Sequence, residues 1–190
     1  MILYIHGFGS TGNSNKGNFL RQYFGNDKVL SPTLPTSPSL AIKFLEELII
    51  NNKEKNLLLV GSSLGGYYAT YLGQKYSLPS ILINPSIFPY ITLASFVGKQ
   101  KFYGKDETFN WTEKDLKELK RYETKQIDKK LFFLFLQSGD EVLDYNEAVT
   151  KFYDAQMLLI QGGSHQFDNF DKYCYLINNF YMKQFNVTSL

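Results

Sequence analysis

Short, nearly continuous apolar runs alternate along this chain with longer segments of helical period. The runs lie at Ile2–Ile5, Lys28–Leu30, Leu57–Val60, Ser80–Asn84, Leu131–Gln137 and Gln156–Ile160. Apolar runs without a polar alternation fit parallel strands that are covered on both faces. Lys28–Leu30 is the shortest and abuts a proline-rich stretch. Between the runs, Ser37 and Pro38 form an N-cap and first-turn pair for a helix carrying Leu40, Phe44, Leu48 and Ile49 on one face. A second helix is predicted from Leu64 through Tyr76, stopping before Pro79. Thr112-x-x-Asp115 reads as a capping box for a charged helix to Arg121, and Asp144-x-x-Glu147 starts another through Tyr153. A last helix is predicted over Asp171–Lys183. This rhythm predicts the α/β class: a doubly wound, mostly parallel sheet of about six strands with helices on both faces. Residues 85–129 contain no clear strand and are expected to cross the C-terminal edge of the sheet, as a crossing segment or partial cap.

The chain has 190 residues, enough to bury a substantial core but too few for a separate lid domain, so residues 1–190 are read as a single domain. The net charge of +2 leaves no electrostatic footprint for nucleic acid or a membrane surface. Lysines thicken between Lys99 and Lys130, but interleaved acidic residues make this a solvated surface. Cys174 is the one cysteine, which excludes an intrachain disulfide, and with only two histidines a closed structural zinc site is not expected. No metal or cofactor is expected. The N-terminus lacks a charged leader, and no apolar run is long enough for a signal peptide or membrane span, which points to the cytoplasm. Nothing here speaks to the oligomeric state.

Candidate chemistry enters at the third apolar run, which leads directly into Gly61-Ser62-Ser63-Leu64-Gly65. This is G-x-S-x-G with a strand before it and a helix after it, the context of a nucleophile elbow. The turn is tight enough that the residues two before and two after the nucleophile crowd each other, so both must be glycine. Ser63 meets that spacing, whereas Ser62 would need glycine at Val60 and Leu64. A phosphate-binding P-loop would need a Lys-Ser or Lys-Thr pair after the glycines, and a dinucleotide fingerprint would need G-x-G-x-x-G; neither is present.

A serine hydroxyl needs a general base and a group that orients it. Doubly wound hydrolases order the three residues as Ser, then Asp or Glu, then His. His165 in Gly162-Gly163-Ser164-His165 follows the last strand and fits this order; His6 does not. Asp140, Glu141 and Asp144 compete as the acid after the Leu131–Gln137 strand. Asp144 has a helix to cap and Glu141 is expected to point elsewhere, so Asp140 is favoured. The oxyanion should rest on the backbone N–H groups of Leu64 and Phe8, the latter in the glycine-flanked His6-Gly7-Phe8-Gly9 loop. His6 either shapes that loop or is a buried core histidine. Phe88, Pro89, Tyr90, Phe102, Tyr103, Phe109 and Trp111 crowd residues 85–129 and are candidates for lining an acyl pocket or for ordinary packing.

Five blocks then carry a family resemblance: Ile2-Leu3-Tyr4-Ile5-His6-Gly7-Phe8, the stretch from Val60 to Ala69, Ile83-Asn84-Pro85, Gly139-Asp140-Glu141-Val142-Leu143-Asp144-Tyr145, and Gly162-Gly163-Ser164-His165-Gln166-Phe167. Spread over nearly the whole chain, they resemble the small bacterial YqiA-type esterases. The resemblance implies a compact α/β-hydrolase lacking the first two strands of the larger fold, active on acyl esters or thioesters, with Ser63, Asp140 and His165 as its triad. The expected partner is therefore a small-molecule acyl ester or thioester. The alternatives are a peptidase or amidase, since a triad does not choose the leaving group, and a hydrolase-fold binding protein whose triad is unproductive.

Overall fold

The computed structural model describes residues 1–188 and residue 190. Its main sheet is built from β1 (Ile2–Ile5), β2 (Val29–Leu30), β3 (Leu58–Ser62), β4 (Ser80–Ile83), β7 (Phe132–Gln137) and β8 (Gln156–Ile160). The six strands lie in the order β2-β1-β3-β4-β7-β8, and every neighbouring pair is parallel. Successive side chains of a strand point to opposite faces, and that period of two splits the core into two layers. Leu3, Ile5, Leu59, Leu82, Leu134 and Leu136 pack with α2 (Pro38–Asn51), α3 (Leu64–Tyr76), α5 (Glu113–Lys120) and α6 (Tyr145–Lys151) on one face. Ile2, Tyr4, Leu58, Val60, Ile81, Ile83, Phe133 and Phe135 pack with α1 (Asn15–Phe24) and α7 (Cys174–Phe185) on the other. The predicted class holds: a doubly wound parallel sheet with helices on both faces.

Several elements differ in detail from their sequence expectation. Helix α1 was not foreseen: its buried residues are Lys16, Gly17 and Leu20, a set with no apolar stripe. It forms because Ser14 caps Gly17, and because Gly17 lets the helix sit where a Cβ would come within 2.6 Å of the Ser31 hydroxyl. In α2 the buried stripe is Ala41, Ile42, Leu45 and Ile49, while Leu40 is 57% exposed. The aliphatic ladder 41-45-49 at i, i+4 spacing outcompetes the face centred on Leu40. Ser37 occupies the N-cap of α2 without capping it, since its hydroxyl turns to the Glu118 carboxylate at 3.3 Å. Helix α5 carries the predicted capping box between Thr112 and Asp115 in full. Helix α6 ends at Lys151, two residues early, and the last helix begins as a single 3-10 turn over Phe170–Tyr173.

Residues 85–129 hold more structure than their sequence signals. After the short helix α4 (Pro89–Thr92), strands β5 (Gly98–Lys101) and β6 (Thr108–Trp111) form an antiparallel hairpin. Strand β5 reads Gly-Lys-Gln-Lys and is almost wholly exposed, so it carries no apolar pattern to reveal it. Among the described residues, no helix is long and apolar enough to cross a membrane.

Candidate active site

Ser63 sits between the end of β3 and the start of α3 with φ 55° and ψ −120°. A non-glycine residue at positive φ outside the left-handed helical basin is strained and persists only where its surroundings hold it. Here the Ser63 N–H donates to the Ile83 carbonyl at 3.0 Å, and the Ser63 carbonyl accepts from the N–H groups of Gly66 and Ser86 at 2.9 and 3.0 Å. Gly61 and Gly65 serve different contacts. A Cβ on Gly61 would strike the Gly65 carbonyl, which is the mutual crowding expected of the turn, whereas a Cβ on Gly65 would strike the Ile5 carbonyl of β1. Helix α3 is therefore wedged against two strands at its first turn. Ser62, the other serine of the pair, is buried in β3.

The His165 ring lies between Ser63 and Asp140. Its Nε2 is 3.0 Å from Ser63 Oγ, and its Nδ1 is 2.8 Å from Asp140 Oδ2. With Nδ1–H donating to the carboxylate, Nε2 is left as an acceptor for the serine hydroxyl. The other Asp140 oxygen accepts from the N–H groups of Val142 and Leu143 at 2.9 and 2.8 Å. Burial by itself pushes this carboxyl up. The hydrogen bonds from His165 and the two N–H groups, together with the His165 charge, outweigh it and hold Asp140 below the usual carboxylate range. The side chain of Asp140 is 2% exposed and that of His165 15%, so the carboxylate is sealed while the imidazole edge stays open. Asp144 caps α6 through the N–H of Asn146. Glu141 is closer to the site than expected: its Oε2 accepts from the His165 backbone N–H at 3.0 Å.

Two polar residues at strand ends hold the His165 loop from beneath, and the sequence reading missed both. Asn84, buried at φ 39°, donates from Nδ2 to the Ser164 and His165 carbonyls at 3.0 and 3.2 Å, while its Oδ1 accepts from Gln137 N–H. Gln137, 2% exposed at the end of β7, accepts on Oε1 from the N–H groups of Ser164 and Asp168 and donates from Nε2 to the Asp168 carbonyl. Gly163 at φ 78° leaves room for this amide, because a Cβ there would overlap the Gln137 side chain. The one hint was position: a lone amide closing an apolar run, as in Ile83-Asn84-Pro85 and Leu136-Gln137-Ser138.

On the opposite side of Ser63 runs the loop after β1. A Cβ on Gly7 would come 3.2 Å from Ser63 Cβ, so the loop lies directly against the serine. Among the described residues, no acceptor pairs with the N–H groups of Phe8 or Leu64. Both residues line one small cavity of about 30 Å³. His6 does not face Ser63. It is 6% exposed, its Nε2 accepts from Leu34 N–H at 3.0 Å, and its Nδ1 meets the Gly7 carbonyl at 2.9 Å. Burial pushes this imidazole below its ordinary value, so it stays neutral and clamps the loop to the Leu34 segment. Of the aromatic residues in 85–129, Phe102 and Phe109 reach the cavity. Trp111 is buried with its indole N–H on the Leu93 carbonyl, Phe88 and Tyr90 pair with each other against the core, and Tyr103 is 68% exposed. Among the described residues, no group of three or more His, Cys, Asp or Glu stands close enough to hold a metal ion.

Comparison with known proteins gives a consistent picture. The model of a family described as an uncharacterised protein family, UPF0227, matches residues 1–182. The UPF0227 protein YcfP of Salmonella paratyphi A is 25% identical over 188 residues, covering 95% of this chain and 98% of its own length. A UPF0227 protein of Pasteurella multocida is 26% identical over 144 residues, covering 73% and 76%. Among solved structures, Est1E from Butyrivibrio proteoclasticus with bound ferulic acid superposes with a TM-score of 0.70 at 11% identity, over 98% of this chain and 89% of its own. A monoacylglycerol lipase of Paleococcus ferrophilus does so with a TM-score of 0.67 at 14% identity, over 93% and 91%. The fold is that of the α/β-hydrolases.

Proposed function

Since this chain belongs to the UPF0227 family, we propose that it is a serine hydrolase acting on carboxylic esters or acyl thioesters, with Ser63, His165 and Asp140 as nucleophile, general base and orienting acid. The observation that carries this reading is the continuous path Ser63 Oγ to His165 Nε2 at 3.0 Å and His165 Nδ1 to Asp140 Oδ2 at 2.8 Å. That path sits on a strained turn at the carboxyl end of β3. The neighbouring structures of Est1E with bound ferulic acid and of a monoacylglycerol lipase support the same class.

In this reading Ser63 Oγ attacks the acyl carbon while its proton passes to His165 Nε2. The resulting oxyanion accepts from the N–H groups of Phe8 and Leu64, each worth roughly 3–4 kcal/mol of transition-state stabilisation. The C–O or C–S bond breaks, His165 returns the proton to the leaving oxygen or sulfur, and the acyl group stays on Ser63. Water then repeats the sequence, giving a free acid and the original serine. Asp140 stays ionised throughout and keeps Nδ1–H in place. Ser63→Ala should abolish hydrolysis of p-nitrophenyl acetate with the melting temperature nearly unchanged, and an alkyl fluorophosphonate should label the parent protein at Ser63. Turnover that survives in Ser63→Ala, or a parent protein that does not label, would refute the assignment.

A further inference from the structure

The nucleophile turn and the histidine loop come from distant parts of the chain, yet one short segment holds both. That segment is Ile83-Asn84-Pro85-Ser86, where β4 leaves the sheet. The Ile83 carbonyl accepts from Ser63 N–H, and Ser86 N–H donates to the Ser63 carbonyl, each at 3.0 Å. Pro85 packs on the first turn of α3, where a Cβ on Gly66 would come 2.7 Å from Pro85 Cβ. Asn84 reaches instead to the histidine loop, its Nδ2 donating to the Ser164 and His165 carbonyls at 3.0 and 3.2 Å. Its Oδ1 accepts from Gln137 N–H at 3.0 Å, and its own N–H donates to the Phe135 carbonyl at 2.9 Å, which fixes the residue to β7 as well. Both polar atoms of the side chain are used, in a residue 3% exposed. The backbone also argues that the amide is required. At φ 39° a glycine would be unstrained, while asparagine and aspartate are among the side chains that tolerate the region best. Glycine brings no donor, and a carboxylate of the same shape would set oxygen against two carbonyl oxygens. Of the three, asparagine alone gives the loop a permanent donor and Gln137 an acceptor.

We propose that Asn84 is a positioning residue for the hydrolase reaction: its amide ties the backbone of His165 to the segment that holds Ser63, and so sets the separation of Oγ and Nε2. The inference rests on the hydrolase reading of Ser63 and His165, and adds to it a residue that touches none of the reacting atoms. Gln137 steadies the same loop from β7, whereas Asn84 joins that loop to the backbone bonded to Ser63. Without the amide, Ser63, His165 and Asp140 are all still present, but the loop is free to drift. A misplacement of about 1 Å costs up to about a hundredfold in rate.

The test compares two variants with the parent on p-nitrophenyl acetate, at a temperature where circular dichroism shows each protein folded. Asn84→Gly removes the amide and keeps a backbone that glycine adopts freely. It should lower kcat by about tenfold to a hundredfold with KM changed much less, and by the same factor at every pH. Asn84→Asp supplies a readout that lost packing would not move. Protonated, its carboxyl donates to a loop carbonyl and accepts from Gln137 N–H; ionised, it repels both loop carbonyls. The parent kcat should rise with pH to a plateau as His165 loses its proton, whereas that of Asn84→Asp should fall again at higher pH. The other titrating groups around the loop, His165, Asp140, Glu141 and Asp168, are common to all three proteins, so a falling limb confined to Asn84→Asp belongs to position 84. Where Asn84→Asp unfolds at higher pH, the split of kcat from KM in Asn84→Gly decides. A kcat in Asn84→Gly within about twofold of the parent, or an Asn84→Asp profile parallel to that of Asn84→Gly, would overturn the proposal. Labelling of the parent by ethyl fluorophosphonate separates the two failures. Labelled serine with unaffected variants leaves the hydrolase reading standing without this brace; unlabelled serine with no ester turnover removes both.

Discussion

The two histidines of this chain are held in opposite roles by what their ring nitrogens meet. His165 has a carboxylate on one side and a hydroxyl on the other, a pairing that tolerates a proton arriving on Nε2. His6 has the Leu34 N–H pointing at its Nε2, so a proton there would set donor against donor in a buried place. Burial accordingly lowers the His6 value from its ordinary 6.5. The folded state refuses a proton that the unfolded chain accepts, so unfolding takes up protons below that value and stability rises with pH. The contribution of neutral His6 is complete above 6.5 and is lost as pH falls from there to the lower folded value. The urea midpoint should therefore drop between about pH 7.5 and pH 5, and the drop should shrink in His6→Gln, whose amide oxygen accepts from Leu34 without titrating. The variant is needed because the half-buried Met1 amino group, lowered to about 6 by desolvation and the charges of Lys28 and Lys55, adds a dependence of the same sign. Equal drops in the two proteins would place the titration elsewhere.

At the scale of elements, the junction of β1, β3 and α3 is the least forgiving part of the molecule. The Gly65 Cα lies against the Ile5 carbonyl, which belongs to a strand hydrogen-bonded on both sides and unable to give way. Gly65→Ala should cost about 3 kcal/mol or more, lowering the melting temperature by about 6–12 °C for a chain of this size. A variant melting within about 2 °C of the parent would show that α3 can slide outward. This junction was also the most legible part of the sequence, because an apolar run ending in spaced glycines has one geometric meaning. The interior strands β1, β3, β4 and β7 were legible for a related reason: burial on both faces leaves polar residues only at their ends, Ser62, Ser80 and Gln137. Helix α1 and strand β5 were not, since one is held by a cap and close backbone packing and the other is solvent-exposed, and neither leaves an apolar period. Asn84 and Gln137 are the last residues of their predicted strands, and their role was missed because a single amide there gives no sign of what it will bond. Their importance lies in hydrogen bonds to residues 164–168, which no local pattern records.

Across the whole molecule, Phe8 joins the sheet to the hairpin. Its backbone sits in the loop after β1, while its ring meets Phe96, Phe109 and Trp111 edge-on at 5.7, 5.4 and 5.0 Å. The neighbouring Gly9 carbonyl accepts from Tyr103 N–H at 2.8 Å, so the hairpin is stitched to this loop twice. The N–H group assigned to the oxyanion is thereby aimed by an aromatic cluster from a segment more than eighty residues away in the chain. Removing the Phe8 ring keeps the N–H group and tests whether aiming matters. A misplacement of about 1 Å costs up to about a hundredfold, so Phe8→Ala should lower kcat by about tenfold to a hundredfold with KM changed much less. Each lost aromatic pair should also take about 0.5–1.5 kcal/mol from stability, seen as a fall of a few degrees in melting temperature. Phe96→Ala removes the outermost contact of the same ring, from a side chain already 38% exposed, and should have a smaller effect on both. If Phe8→Ala melts lower but keeps its kcat, the cluster stabilises the hairpin alone and the loop after β1 is held by His6 and Gly7 without it. If kcat falls while Phe96→Ala stays close to the parent, the hairpin acts through the Phe8 ring to set the geometry at Ser63.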